Sequence, residues 1–515
     1  MLTLTRSAKL FFGAFVFSSI FFNLIIHHPP AFLDDDAFFY AQIAYNFGEL
    51  HQSTFDGITI TNGYHVLWQL FLGFISILTG IFTHNKIIHL FLFILADIFI
   101  AFLLADAFFR KFYEKIICFL IFIINTLLME TLPLTIFLLI IIEKIIHGEN
   151  LRPSRKNVLY FLSIILVPLT RIDSSIILLI MFSYLALKKR FGEYLFSCSF
   201  LAIGVSLHFF FLKYCFGDFF TVSSVVKFQS TSFSIIDALT SNLSLFNPLL
   251  IEGIVFRNYL MVSLSIAAII LLATHKESLT NQKLFFALSG VCVYFFMHFL
   301  FERARPWYFF PGHIVLFYIV LNADIAQSTR ASRFKSMAVG FFLFYIFSLF
   351  LLKTVYLTFK HSDSQNSKYE FIVKIKEYTP SDALIYMIDA CGYAAYFSDR
   401  RIINGDGLVN NYEYAKKLIN NDLSEYLDAM KICFLIENRC NENGYIIMYD
   451  NKTNNSFPVY APLHADKYIL DFKGLKIRRD EVTEIVKSKN YGKDVWASYK
   501  LYRLNRSYCD LPASS

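Results

Sequence analysis

Apolar runs close to the roughly 20 residues that a spanning helix needs recur near residues 10–27, 65–83, 87–108, 116–129, 132–147, 158–170, 174–187, 195–212, 258–274, 284–300, 307–322 and 337–357. Short basic stretches separate them: RSAK at the start, RKFYEK near 110, RPSRK near 152, KKR near 188, HK at 275 and STRASRFK near 328. If all six face the cytoplasm, as the positive-inside bias asks, the run at 65–83 cannot cross without inverting everything after it. The pattern therefore predicts a polytopic α-helical membrane protein with about 11 spans and a re-entrant or interfacial helix at 65–83. Its N-terminus is expected inside and its C-terminus outside. After residue 357 the pattern turns polar and mixed. ALIYMID, RIIN and KICFLIE predict short buried strands, and NNYEYAKKLINNDLSEYLDAM one or two helices. The expected division is a transmembrane domain at 1–357, with its first outer loop at 28–64, followed by an extracytoplasmic α/β domain at 358–515.

Composition agrees with that pattern. Of 515 residues 56% are hydrophobic and 17% charged, more apolar than one soluble core of this size requires. The net charge of +7 comes from clusters between apolar runs, with no basic stripe carrying interleaved aromatics, so it informs orientation and argues against a nucleic-acid partner. The N-terminal run resembles a signal peptide, but HHPPAFLDDD follows without a small-x-small cleavage site, so an uncleaved anchor is expected. Four of the eight cysteines, Cys391, Cys433, Cys440 and Cys509, lie in the polar C-terminal region. A disulfide is open only to these, with Cys433 and Cys440 the favoured pair. The sequence holds no metal-type cysteine spacing and no GxxxxGK[ST], GxGxxG or HExxH motif, so neither ATP nor a nicotinamide cofactor is indicated.

Under this topology several ionisable residues converge on the outer face. HHPPAFLDDDAFFYAQIAYNF sets Asp34, Asp35 and Asp36 where the first span ends. Asp36 can N-cap a helix starting at Ala37, whose Phe39, Ile43 and Phe47, with Tyr40 and Ala44 alongside, form an apolar stripe suited to the membrane surface. Capping needs one carboxylate and three are present, so chemistry stays open beside capping. The loop STFDGITITNGYHVLW contains the turn dipeptides Asp56-Gly57 and Asn62-Gly63 and ends in Tyr64, His65 and Trp68.

Asp173, in LVPLTRIDSS, is an ionisable residue at membrane depth and so a functional candidate. Arg171, two residues away on a continuous helix, falls on nearly the opposite face and is not expected to neutralise it. Glu130, in NTLLMETLP, is a similar candidate. FERARPWYFFP brings Arg303, Arg305 and Trp307 to the mouth of a helix, where arginines can hold a phosphate bidentately or anchor the chain at the headgroups. Lys227 is a lone cation in an outer loop, open to a phosphate or a headgroup.

Several segments together resemble the GT-C class of integral-membrane glycosyltransferases, which use polyprenyl-phosphate sugars. They are DDDAFFYAQIAYN with STFDGITITNGYHVLW behind it, METLPLTIF, LTRIDSS, RARPWYFFP and GYAAYFSDRRIINGDGLVNN. The set looks like the bacterial branch related to mycobacterial arabinofuranosyltransferases. The resemblance implies that Asp35 and Asp36 form the acidic pair supplying the catalytic base, with Asp34 an extra residue, and that Asp173 or Glu130 joins them. It further implies that Arg303 and Arg305 hold the lipid phosphate; from their own positions Lys227 and His65 are added as donor-binding candidates, and Arg171, Tyr64 and Trp307 as supporting ones. A divalent cation (Mg, Mn or Ca) bridging Asp35 or Asp36 to the phosphate stays open. Val66 and Gly405 depart from the family pattern, where Pro and Leu are frequent.

The expected function is inverting transfer of a hexosyl or pentosyl unit from a polyprenyl-phosphate carrier to a glycan or protein acceptor, at the outer face of a bacterial cytoplasmic membrane. An O-antigen-type polymerase or ligase is the alternative, although such a protein typically carries its large polar loop between spans. A lipid-linked sugar transporter would place charges at mid-membrane; here they gather at one face.

Overall fold

The computed structural model describes residues 12–19, 22, 33–125, 127–147, 149–229, 282–301, 306–322, 362–388, 390–440, 447–449, 458–460, 468–472, 475–488 and 498–509. Where these cover the apolar runs, the runs are helices. After the helical residues 12–19 come Asp35–Leu50, Val66–Gly80, Lys86–Phe108, Phe112–Asn125, Thr131–Ile146, Val158–Thr170, Ser175–Leu187, Phe191–Phe216, Val222–Gln229, Gln282–Phe301 and Pro306–Asn322. The runs expected near 258–274 and 337–357 lie outside the described residues. Among the described residues two helices, Lys86–Phe108 and Phe191–Phe216, are long and apolar enough to cross a membrane. Val66–Gly80 has 15 residues, which at a rise of about 1.5 Å each makes it shorter than a ~30 Å hydrocarbon core.

The helix after the acidic triplet differs from expectation at its start and in its packing. It begins at Asp35, with Asp34 in the N-cap position and both Asp35 and Asp36 in the first turn. Its burial extends beyond the Phe39–Ile43 stripe to Ala37, Phe38, Ala41, Gln42 and Asn46. The cause is two-sided packing, against Val66–Gly80 on one flank and the short helix Gly392–Phe397 on the other.

The polar C-terminal part contains a five-stranded mixed sheet of order β2-β1-β3-β9-β8, with β1 Leu384–Met387, β2 Arg401–Asn404, β3 Phe434–Cys440, β8 Val482–Lys487 and β9 Ser498–Leu504; between β3 and β8, β4 Ile447–Tyr449 pairs with β5 Pro458–Tyr460 and β6 Tyr468–Phe472 with β7 Leu475–Arg478. Strands β2, β1 and β3 run parallel, joined through Gly392–Phe397 and then through Tyr412–Asn420 and Leu423–Ala429. Asn421, at φ 61°, separates the last two helices. Strand alternation divides the side chains between two cores. Ile385, Met387, Ile402, Ile436 and Leu501 join the same apolar cluster as the helix bundle. Tyr386, Ile403, Leu435 and Tyr502 face the Tyr412–Asn420 and Leu423–Ala429 helices in a second cluster. Both faces being covered explains why these strands read as nearly continuous apolar runs.

The disulfide is Cys433–Cys509, with Cα atoms 5.4 Å apart, and not the expected Cys433–Cys440. Cys433 and Cys440 bracket a single extended strand, whose ~3.3 Å rise per residue puts them far beyond the roughly 7 Å limit for bridging. Cys509 instead follows β9, the antiparallel neighbour of β3, and so returns to Cys433.

Candidate active site at the helix ends

The first loop is held by its own polar residues. Asp56 Oδ1 accepts the backbone N–H groups of Ile58 and Thr59 (2.8 and 2.7 Å), and Gly57 takes φ 78°, a conformation that suits glycine. Thr54 and Ile60 form an antiparallel bridge across this turn. Asn46, on the Asp35–Leu50 helix, donates to Thr54 O and Phe55 O (2.9 and 3.1 Å), fixing the loop on that helix. Ser53 binds Thr61 O and the hydroxyl of Tyr64, 2.7 Å each. The loop then delivers His65 to the N-cap position of Val66–Gly80.

A second turn presents Glu130. Its central residue, Leu128, is held at φ 63°, an uncommon conformation for a branched side chain. Two buried groups impose it: Asp97 Oδ2 accepts the Leu128 N–H at 2.7 Å, and the Trp68 indole donates to the Leu128 carbonyl at 3.0 Å. Glu130 then lies 1% exposed just before the Thr131–Ile146 helix. It accepts hydrogen bonds from Tyr40 Oη (2.9 Å) and Arg171 Nη1 (2.7 Å), and His65 Nε2 stands 3.4 Å away. Burial opposes its charge, yet His65 and Arg171 outweigh that cost and hold its carboxyl below the ordinary glutamate value.

Arg171 does neutralise Asp173, contrary to the continuous-helix expectation. The Val158–Thr170 helix ends after Pro168, Arg171 is extended (φ −153°, ψ 114°), and Ile172–Ser174 forms a 3₁₀ turn. That break swings the two side chains together. Arg171 Nε and Nη2 grip Asp173 Oδ1 and Oδ2 at 3.1 and 2.7 Å in a bidentate pair. Arg171, 2% exposed, thus sits between two carboxylates. The Tyr308 ring covers its guanidinium at 4.4 Å. His298 stacks on the same ring and places Nε2 3.2 Å from Asp173 Oδ2.

Tyr40, His65, Glu130, Arg171, Asp173 and His298 therefore converge from five helices and their connecting turns. The acidic triplet lies at the N-terminal end of the Asp35–Leu50 helix, which also carries Tyr40, and its three members differ. Asp34 is exposed, while Asp36 is partly buried, one helical turn before Tyr40. Asp35 directs its carboxylate away to Gly392 N and Tyr393 N, 3.0 Å each. Tyr64 is buried in the loop. Lys227 is exposed on Val222–Gln229, a helix whose first N–H is taken by Asn62 Oδ1 at 2.9 Å. Arg303 and Arg305 lie outside the described residues, as does the side chain of Trp307.

Among the described residues no three His, Cys, Asp or Glu side chains come together to hold a metal ion. Asp35 already accepts two N–H groups, and Glu130 and Asp173 are both paired with Arg171.

Sequence reasoning missed Tyr40 as a polar partner, His298, Tyr308 and Asp97. Asp97 carried the same signal as Asp173, a lone carboxylate inside an apolar run. His298 carried a weaker one, a single histidine close to the expected outer end of its run.

A family model described as a domain of unknown function (DUF8728) matches residues 360–499, which takes in most of the sheet. No curated protein matches the chain. Among solved structures, the chain is similar to the apo oligosaccharyltransferase of Archaeoglobus fulgidus, at 12% identity and a TM-score of 0.44, over 85% of this chain and 70% of that one. It is also similar to AglB, the archaeal oligosaccharyltransferase from Archaeoglobus fulgidus, in complex with an inhibitory peptide and a dolichol-phosphate. That match has 11% identity and a TM-score of 0.42, over 83% of this chain and 69% of that one.

Proposed function

We propose that the protein is a GT-C-type inverting glycosyltransferase that moves a sugar from a polyprenyl-phosphate carrier to a glycan or protein acceptor at the outer face of a bacterial cytoplasmic membrane. One observation carries this reading. The acidic triplet that closes the first apolar run begins the helix whose Tyr40 hydroxyl binds Glu130 of the His65–Glu130–Arg171–Asp173 chain. A lipid-linked sugar holds its anomeric carbon near the headgroups, and the chemistry has to wait at that depth. In this proposal residues 1–357 form the catalytic membrane domain and 358–515 an extracytoplasmic domain.

Asp36 is assigned as the base. It accepts the proton of the acceptor hydroxyl as that oxygen attacks the anomeric carbon and the bond to the phosphate breaks. A single displacement inverts the configuration. Negative charge grows on the leaving phosphate, which His65, Lys227, Arg303 and Arg305 are assigned to meet. Asp173 and Glu130 are poor bases, because Arg171 favours their ionised forms; their assigned role is to fix Arg171, His65 and His298. No step is routed through a metal.

The test is transfer of labelled sugar from synthetic polyprenyl-phosphate pentose and hexose donors by the purified protein, with and without divalent metal. Transfer by the wild type that falls by about 10²–10⁴-fold in Asp36→Asn supports the reading. A folded wild-type protein inactive with every donor would overturn it and move a polymerase activity to first place.

A further inference from the structure

The three parallel strands of the C-terminal sheet reverse direction of travel at β1, which lies between β2 and β3. In α/β sheets the carboxyl ends of strands at such a point usually receive a ligand. Here the segments leaving β1 and β2 receive the chain's own first loop. After β1, the N–H groups of Gly392 and Tyr393 are capped by the Asp35 carboxylate, 3.0 Å each. A side chain at Gly392 would come within 2.3 Å of Asp35 O, so glycine permits this approach. The far end of the same short helix is held too. Lys86 Nζ donates to Ala395 O and Tyr396 O at 3.4 Å, and Tyr396 Oη donates back to Lys86 O at 2.5 Å. After β2, Asn62 Nδ2 donates to Tyr412 Oη at 2.7 Å, and a Cβ on Gly63 would lie 1.8 Å from Leu408 O.

We infer that the C-terminal sheet is a clamp on the first loop, and that Asp35 is a positioning residue that fixes Asp36 by tying their shared helix to Gly392–Phe397. The capping geometry stands without any assumption about activity; the kinetic consequence rests on the glycosyltransferase reading. Asp35 and Asp36, adjacent and chemically identical, thus divide into a structural and a chemical role.

Hydrogen exchange on the full-length protein in detergent micelles tests the clamp directly. Asp35→Asn is expected to speed exchange of the segment containing Gly392 and Tyr393 by about tenfold or more, Asp35→Glu to restore part of the protection, and Asp36→Asn to leave it unchanged. Lys86→Met should loosen the same segment from its other end, and Gly63→Ala should loosen 404–411, which keeps the test decisive where Asp35→Asn folds poorly. In turnover, Asp35→Asn should lower kcat by about 10–100-fold with donor KM unchanged, recovered in part by Asp35→Glu. Unchanged exchange in Asp35→Asn and Lys86→Met, or equal loosening in Asp36→Asn, would overturn the clamp. If the exchange pattern holds while the wild type transfers no sugar, the clamp stands and only the transferase reading fails.

Discussion

Two polar clusters flank the first loop, and they are satisfied in different ways. Below it, Arg171 joins Glu130 and Asp173 in a buried chain of formal charges, with His65 and His298 at its ends. Beyond it, Asn404, Asn410, Tyr386 and Tyr414 form a neutral network. Asn404 Nδ2 donates to Cys391 Sγ (2.9 Å) while its Oδ1 accepts from Val409 N (3.3 Å), Asn410 Nδ2 donates to Asn404 O (3.1 Å), and Tyr414 Oη donates to Gly405 O (2.6 Å). The neutral network closes on itself and shapes the turn that meets Asn62 and Gly63. The charged chain leaves Asp173 28% and His65 34% exposed, so it retains polar capacity toward a substrate. Charge placed where it is only partly covered points to chemistry; amides and hydroxyls fully paired point to shape.

The sharpest way to break that comparison is at Arg171. Removing the guanidinium leaves buried Glu130 and partly buried Asp173 without the counter-charge they share, so Arg171→Met is expected to destabilise the protein by about 3–5 kcal/mol. Adding Glu130→Gln in the same chain should recover part of the loss, read as the thermal unfolding midpoint in detergent. If the double variant were as unstable as the single, Arg171 would be acting through packing on Tyr308 and not through charge.

The sheet should respond to a covalent change instead. Replacing both Cys433 and Cys509 with Ser is expected to cost about 2–4 kcal/mol, seen as earlier proteolysis within 434–509 while the helices stay protected. Asn404→Ala ranks next, at about 1–3 kcal/mol for the partners it strands. Its kcat per folded molecule is expected to fall far less than that of Asp36→Asn. A loss of kcat at Asn404 that matched the loss at Asp36 would remove the distinction between the two clusters.

What the sequence showed of this arrangement depended on how local the cause was. The apolar runs became helices, and LIYM, RIIN and FLIE became strands, because burial on both faces is written into consecutive residues. The Asp56-Gly57 turn was legible for the same reason, since the carboxylate binds amides two and three residues ahead. The Arg171–Asp173 pair was hidden, because the expectation runs a regular helix through both residues, whereas the helix ends at Thr170, Arg171 is extended and Ile172–Ser174 forms a 3₁₀ turn. The contacts of Asp35 were hidden, because its amide partners, Gly392 and Tyr393, lie more than 350 residues away. Cys509 is the same case, its partner chosen by strand pairing and not by spacing. Residues whose partners come from distant elements can be nominated by their chemistry, but their roles are set only by the fold.

The smallest expected effect is on pH, and it isolates Glu130. In the turn before its helix, burial raises the cost of the Glu130 charge, but His65 and Arg171 bring its carboxyl below its ordinary value. In the unfolded chain it titrates near about 4.3. The folded protein therefore binds this proton more weakly than the unfolded chain does, and ionised Glu130 contributes stability that is complete above that value and lost as pH falls through the lower folded one. The wild-type unfolding midpoint should drop as pH falls below about 5, and Glu130→Gln should flatten part of that drop. Asn404→Ala, which removes no ionisable group, should shift the midpoint without changing its slope. Equal slopes in wild type and Glu130→Gln would mean that Arg171 draws its compensation from Asp173 alone, and the charged cluster would shrink to a single pair.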